Sequence, residues 1–215
     1  MSAAPIRVWD LPTRLFHWAI VLIIPAMWAT HELDRMAVHI LLGQTMLALV
    51  LFRLIWGLIG SSTARFSGFV RGPAAVAAYV RGRPGPAFGH NPLGGWSVVA
   101  MLAVLAAQVT LGLFSGDEDS LHTGPLSPLV SYENMRAAAE VHEFLFNILL
   151  GLIGFHLAAI LYYRFVRRDA LIAPMITGRR AAPESGQEME AAPLRRFLLA
   201  AALAAGLTLA ITRLL

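Results

Sequence analysis

The sequence predicts an all-α integral membrane protein: a four-helix bundle with one additional C-terminal transmembrane helix. Three observations carry that expectation. Hydrophobic residues fill 57% of the 215 positions and charged residues only 14%, against about a quarter charged in soluble domains. The apolar residues fall in five runs, each near the roughly 20 residues a helix needs to cross a bilayer. The basic residues, finally, are sorted between alternate connections, as membrane topology demands.

Taken in order, RVWDLPTRLFHW offers Asp10 or Thr13 as an N-cap before the first run, residues 15–30. A cleaved signal peptide is the competing reading of this run. Against it stands His17, a membrane-embedded histidine that cleavage would discard. The polar turn HELDR leads to a second span, residues 37–60, with His39 near its start and Arg53 fourteen positions later. Residues 61–95 form a basic connector in which Arg65, Arg71, Arg81 and Arg83 occur without an acid. Pro73, Pro84, Pro86 and Pro92 make it a loop, with a short surface helix over 73–81. The third span covers 96–114, followed by the acidic, turn-rich GDEDSLHTGPLSPLVSYEN, and the fourth covers 141–166. A stretch containing APESGQEMEAAP then leads to a fifth run, residues 194–215. The expected organisation is a four-helix domain over 1–180, a flexible cytoplasmic linker over 181–193 and a fifth helix over 194–215.

Lysine is absent, so all seventeen basic residues are arginines. With the N-terminus in the cytoplasm, fourteen of them fall on the cytoplasmic side, leaving Arg35, Arg136 and Arg213 outside. The expected topology is therefore N-terminus cytoplasmic, five spans and C-terminus periplasmic. The net charge of +4 reflects these membrane-flanking loops and does not describe a nucleic-acid groove. There is no cysteine, which excludes disulfides, thiolate-held iron–sulfur clusters and C-x-x-C-H haem attachment.

The fourth span carries His142 and His156. Fourteen residues of helix separate two side chains by roughly 21 Å along the axis and by about 40° around it. One helix face thus presents imidazoles near opposite membrane edges, and ionisable groups inside a span mark function by default. Alternating the spans puts His17 level with His156 and His39 level with His142. A b-type haem takes two axial ligands from opposite sides of its macrocycle, and facing helices supply them. Four histidines in two opposed pairs therefore read as two bis-histidine haem sites. A single intramembrane histidine would read equally as a helix–helix hydrogen-bonding group. Zinc is disfavoured, because its ligands must converge to about 2 Å.

Other residues fit less specifically. Gly43, Gly151 and Gly154 lie where a small residue lets a flat ring approach the backbone. Arg53, level with the inner pair, is suited to a haem propionate; its alternative is snorkelling to headgroups. Glu140 and Glu143 read as proton-handling groups at a quinol site or as residues favoured at a helix N-terminus. His31, His90 and His122 fall in loops and read as solvated; His90, in GHNPLGGW, has alternative roles as a cap for the third helix or a contact for a partner or quinone.

VHEFLFNILLGLIGFHLAAILYYRFVRRDALIAPM resembles the last core helix of the bacterial cytochrome b561 family, which includes the b-type cytochrome subunits of nickel–iron hydrogenases. RVWDLPTRLFHW, HILLGQTMLALVLFRLIWGLIG and GHNPLGGW extend the similarity over residues 6–180. The resemblance implies a four-helix bundle holding two haem b, with His17, His39, His142 and His156 as axial ligands of the iron. It also implies a respiratory-chain component of the bacterial inner membrane, passing electrons between the quinone pool and a redox protein such as a dihaem cytochrome c or a hydrogenase. The alternatives are a stand-alone quinol oxidase that reduces oxygen to superoxide, and a haem-free transporter. The fifth run departs from the four-helix pattern and reads as a partner-docking helix, a homodimer contact or an extra lipid anchor.

Overall fold

The computed structural model describes residues 5–83, 89–181 and 188–213. Pro84 and Pro86 of the connector, residues 182–187 of the expected linker and the last two residues of the fifth run lie outside the described residues. Among the described residues, five long helices are apolar enough to cross a membrane: α1 (Leu11–Glu32), α2 (Met36–Ile59), α5 (Pro92–Phe114), α6 (Tyr132–Phe165) and α8 (Leu194–Arg213). Short helices α3 (Phe66–Phe69) and α4 (Pro73–Val80) occupy the connector, and α7 (Ile172–Thr177) follows α6. Two two-residue strands, β1 (Ile6–Arg7) and β2 (Arg179–Arg180), pair antiparallel, with Ile6 opposite Arg180.

Local chemistry sets the helix starts. Asp10 caps α1, accepting from the Thr13 amide at 2.7 Å, with Pro12 in the first turn. Asn91 caps α5 through the Gly94 amide at 2.7 Å, with Pro92 at the first position. Ser131 caps α6 through the Asn134 amide at 3.3 Å. That cap starts α6 nine residues before the expected 141, and Glu140 and Glu143 consequently lie more than two turns inside the helix. Their reading as N-terminal residues is corrected, because the helix dipole acts only within the first turn.

α1 packs on α2, α5 on α6, and the two pairs meet through α2 and α5. The shared core is formed by Met46, Leu47 and Val50 of α2, Leu105, Val109 and Leu113 of α5, and Leu149 of α6. α8 covers a further face of α2, where Ala200 is fully buried beside Trp56 and Phe197. Large apolar side chains such as Leu22 of α1, Phe155 of α6 and Leu198 of α8 point outward, the arrangement expected of helices whose solvent is lipid.

At the end of the bundle that carries Asp10 the chain is tied together by hydrogen bonds. Asp10 is buried and accepts from the Trp56 indole at 2.9 Å and from the Ser61 hydroxyl. Val8 and Trp9 donate to the carbonyl of Gly178, at 2.8 and 3.2 Å. Gly178 ends α7 with φ at +78°, a left-handed cap suited to glycine. Within the expected linker, Met189 donates to the Arg7 carbonyl at 3.0 Å and Glu190 to the Ser62 hydroxyl at 3.0 Å, so residues 188–190 are strapped across this end.

Candidate functional site

Two histidine pairs lie at opposite ends of the bundle, between the α1–α2 pair and α6. At the end where α1 turns into α2, the rings of His39 and His142 face one another, 6.4 Å between centroids and 73° between planes. Each ring is fixed from behind. His39 Nδ1 lies 2.9 Å from the Met27 carbonyl of α1, and His142 Nδ1 lies 2.9 Å from the Gln108 carbonyl of α5. A carbonyl only accepts, so both Nδ1 atoms carry the proton and both Nε2 atoms keep a free lone pair. Gly112 lets His142 lie close to α5: a Cβ there would come 3.1 Å from the His142 Cε1. Gly43 is less constrained, since its Cβ would make an ordinary 3.7 Å contact with Met27, and nothing lies within 4 Å of a Cβ at Gly151 or Gly154. His31, expected in a loop, is in the last turn of α1, its ring 6.1 Å from that of His39.

At the other end, His17 lies on α1 and His156 on α6. His17 Nδ1 is buried and has no hydrogen-bond partner among the described residues. Arg53 is 3% exposed, so the snorkelling reading is corrected: α2 carries the guanidinium into the protein, where it donates to the Ala64 carbonyl at 3.3 Å and lies 5.2 Å from the Phe66 ring. No carboxylate comes within 4 Å of it among the described residues, although Asp10 is near enough for its charge to be felt. His90 is a second departure. It is not a solvated loop residue, for its ring packs at a tilt against Trp9 and Phe69, each 4.7 Å away, and its Nδ1 is buried without a partner among the described residues. Burial first, then the charges of Arg53 and His156, hold His90 far below its ordinary value, at about 3. His122 does lie in the expected exposed loop, paired with Asp117 at 3.2 Å.

The family model of the prokaryotic cytochrome b561 matches residues 8–178. The chain belongs to that family. It is a multi-pass, all-α membrane cytochrome of the b type, carrying b-type haem and transferring electrons across the membrane. No curated protein and no solved structure matches the chain. The matched region contains α1, α2, α5, α6 and α7, and α8 lies beyond it.

The donor set of this cytochrome fits a bis-imidazole metal. With metal–nitrogen bonds of about 2 Å on each side and ring centroids roughly 1 Å behind each nitrogen, two axial imidazoles stand roughly 6 Å apart. The His39 and His142 rings are 6.4 Å apart with both Nδ1 atoms engaged, the arrangement by which outer hydrogen bonds orient metal-binding histidines. At the other end the outer nitrogen of His17, Nδ1, is buried and has no such carbonyl behind it among the described residues. Sequence reasoning missed the Met27 and Gln108 carbonyls, the close approach at Gly112 and the burial of His90. Of these, only the helix-breaking GHNP loop ahead of the Asn91 cap left a signal in the sequence.

Proposed function

We propose that the cytochrome holds two haem b groups, one between His39 and His142 and one between His17 and His156, and passes electrons between the quinone pool and a redox protein partner such as a c-type cytochrome or a hydrogenase. The observation that carries this reading is the facing His39–His142 pair, each ring anchored through Nδ1 to a carbonyl of a neighbouring helix. When bound, the haems supply the one-electron chemistry. The chain supplies axial nitrogens, fixes their orientation from behind, and surrounds them with a low-dielectric interior that tunes their potential.

Arg53 is assigned to a propionate of the haem at the His17 end: a buried cation with no carboxylate within 4 Å among the described residues favours an anionic partner. Gly43 is assigned to the wall of the His39 site. The arginine bias supports a cytoplasmic N-terminus and a periplasmic C-terminus in the bacterial inner membrane, which places the His17 pair inward and the His39 pair outward. The electron-transfer unit is residues 1–180, with 181–193 as a connection and α8 as an added helix.

The test uses oriented proteoliposomes with reduced quinol in the bilayer and a c-type cytochrome outside, without oxygen. Quinol-dependent reduction of the external cytochrome is the expected result, and its absence with haems that quinol does not reduce overturns the reading. Rapid quinol consumption in air by the protein alone, with superoxide formed, would instead assign the stand-alone oxidase.

A further inference from the structure

The loop before α5 holds a histidine that the electron-transfer reading leaves unused. The sequence GHNPLGGW builds it rigidly. Gly89 takes a positive φ of 75°, Asn91 caps α5, and Gly95 lets the helix press onto the backbone of Phe69, where a Cβ would meet the Phe69 carbonyl at 2.8 Å. His90 is thereby fixed between Trp9 and Phe69. Asn91 reinforces the position, donating from its side-chain amide to the Tyr163 hydroxyl of α6 at 2.9 Å.

Among the described residues, one imidazole here lacks a partner, and one buried cation makes a single hydrogen bond. The His90 Nδ1 is buried and unpartnered among the described residues, and Arg53 uses one bond to a carbonyl. Asp10 is not free to serve them, because its oxygens already accept from Thr13, Trp56 and Ser61. The Arg53 guanidinium lies 5.2 Å from the Phe66 ring, Phe66 packs on Phe69 at 5.8 Å and Phe69 on His90 at 4.7 Å, so the guanidinium and the imidazole border one aromatic cluster. Buried polar groups of this kind are retained where something hydrogen-bonds to them. An anionic carboxylate offers acceptors to both.

We propose that His90, together with Arg53, clamps the propionate carboxylates of the haem at the His17 end, His90 acting as a hydrogen-bond donor from a loop that is not itself part of the helix pair holding the iron. The proposal rests on His17 and His156 being that haem's ligands. It makes the GHNP loop a positioning element for the macrocycle, setting its rotation between the two imidazoles and neutralising part of its carboxylate charge.

The experiment compares the wild-type cytochrome with His90→Phe and His90→Leu, which lack a donor, and with His90→Gln, which keeps one. Haem content, the midpoint potential of each haem, and the infrared bands of ¹³C-labelled propionates are read on purified protein. Loss of a donor leaves the carboxylate charge less neutralised and favours the oxidised iron. His90→Phe is expected to lower the potential of one haem by about 59 mV, a tenfold change in the one-electron equilibrium, and to move its propionate bands. His90→Gln restores most of both. Loss of one haem from the Phe and Leu variants but not from the Gln variant also supports the donor role. Unchanged potential and bands in His90→Phe, or haem loss in all three variants alike, overturns it. The underlying ligand assignment is judged separately: it fails if His17→Ala and His156→Ala leave both haems in place.

Discussion

Asp10 offers a stringent test of how the Asp10 end of the bundle is held. Its carboxylate caps α1 through the Thr13 amide at 2.7 Å, accepts from the Trp56 indole at 2.9 Å, and accepts from Ser61, all in a buried setting. Replacing it by alanine removes an N-cap, which costs about 1 kcal/mol. It also strands the Trp56 N–H, in a residue only 2% exposed, at about 1–3 kcal/mol, and leaves Ser61 without its acceptor at a similar cost. The sum is roughly 3–7 kcal/mol. For a chain of this size each kcal/mol moves the midpoint by about 2–4 °C, so Asp10→Ala is expected to lower it by at least about 6 °C. Asp10→Asn keeps an acceptor for Thr13 but turns an amide N–H toward the indole, and falls by about half as much. Heating in detergent, followed by circular dichroism at one fixed scan rate, measures both. A double-mutant cycle with Trp56→Phe then isolates the pair, with a coupling of about 0.5–3 kcal/mol expected. An Asp10→Ala variant within about 2 °C of wild type would refute the network as the element that ties the N-terminus to α2.

Gly112→Ala is expected to disturb one haem only. Its methyl would lie 3.1 Å from the His142 ring, displacing an imidazole whose Nδ1 is held by Gln108, and haem affinity at that end should fall by about tenfold, the lower range for changes behind a metal ligand. On the two-haem reading, electron paramagnetic resonance is expected to show two low-spin signals, and two signals unaltered by the substitution would contradict the close approach. Ala200→Leu is expected to lift α8 from α2, since Ala200 is fully buried beside Trp56 and overpacking there costs about 1–3 kcal/mol. Trypsin should then cut faster at Arg195 and Arg196 while haem content is unchanged; an unchanged cleavage rate would count against tight α8 packing.

Much of the architecture was legible because lipid imposes a simple rule: a span must be a long apolar helix. The second span, expected at 37–60, forms at Met36–Ile59, and the surface helix expected at 73–81 forms at Pro73–Val80. The start of α6 was misplaced because hydropathy registers only the part of a helix that lies in lipid. Residues 132–140 are mixed in polarity, and their signal was the Ser131 cap with Glu133 in the first turn. Helix rise alone suggests that His39 and His142 share a level, and the structure sets their rings edge-on with centroids 6.4 Å apart. What stands behind them could not. Met27 and Gln108 contribute backbone carbonyls, which carry no residue signature, and helix rotation decides whether they face an imidazole. The Asp10–Trp56–Ser61 cluster joins positions 46 and 51 residues apart, beyond any local pattern. His90 looked like a solvated loop residue because its burial depends on Trp9 and Phe69, brought in from distant segments.

The measurement closest to the central claim is a haem count with assignment. Pyridine haemochrome analysis and reduced-minus-oxidised spectra are taken on the wild type and on single alanine variants of His17, His39, His142 and His156. Two b-type haems per chain are expected, with His39→Ala and His142→Ala losing the same one and His17→Ala and His156→Ala losing the other. A single haem in the wild type, or His39→Ala and His156→Ala removing the same haem, would contradict the account.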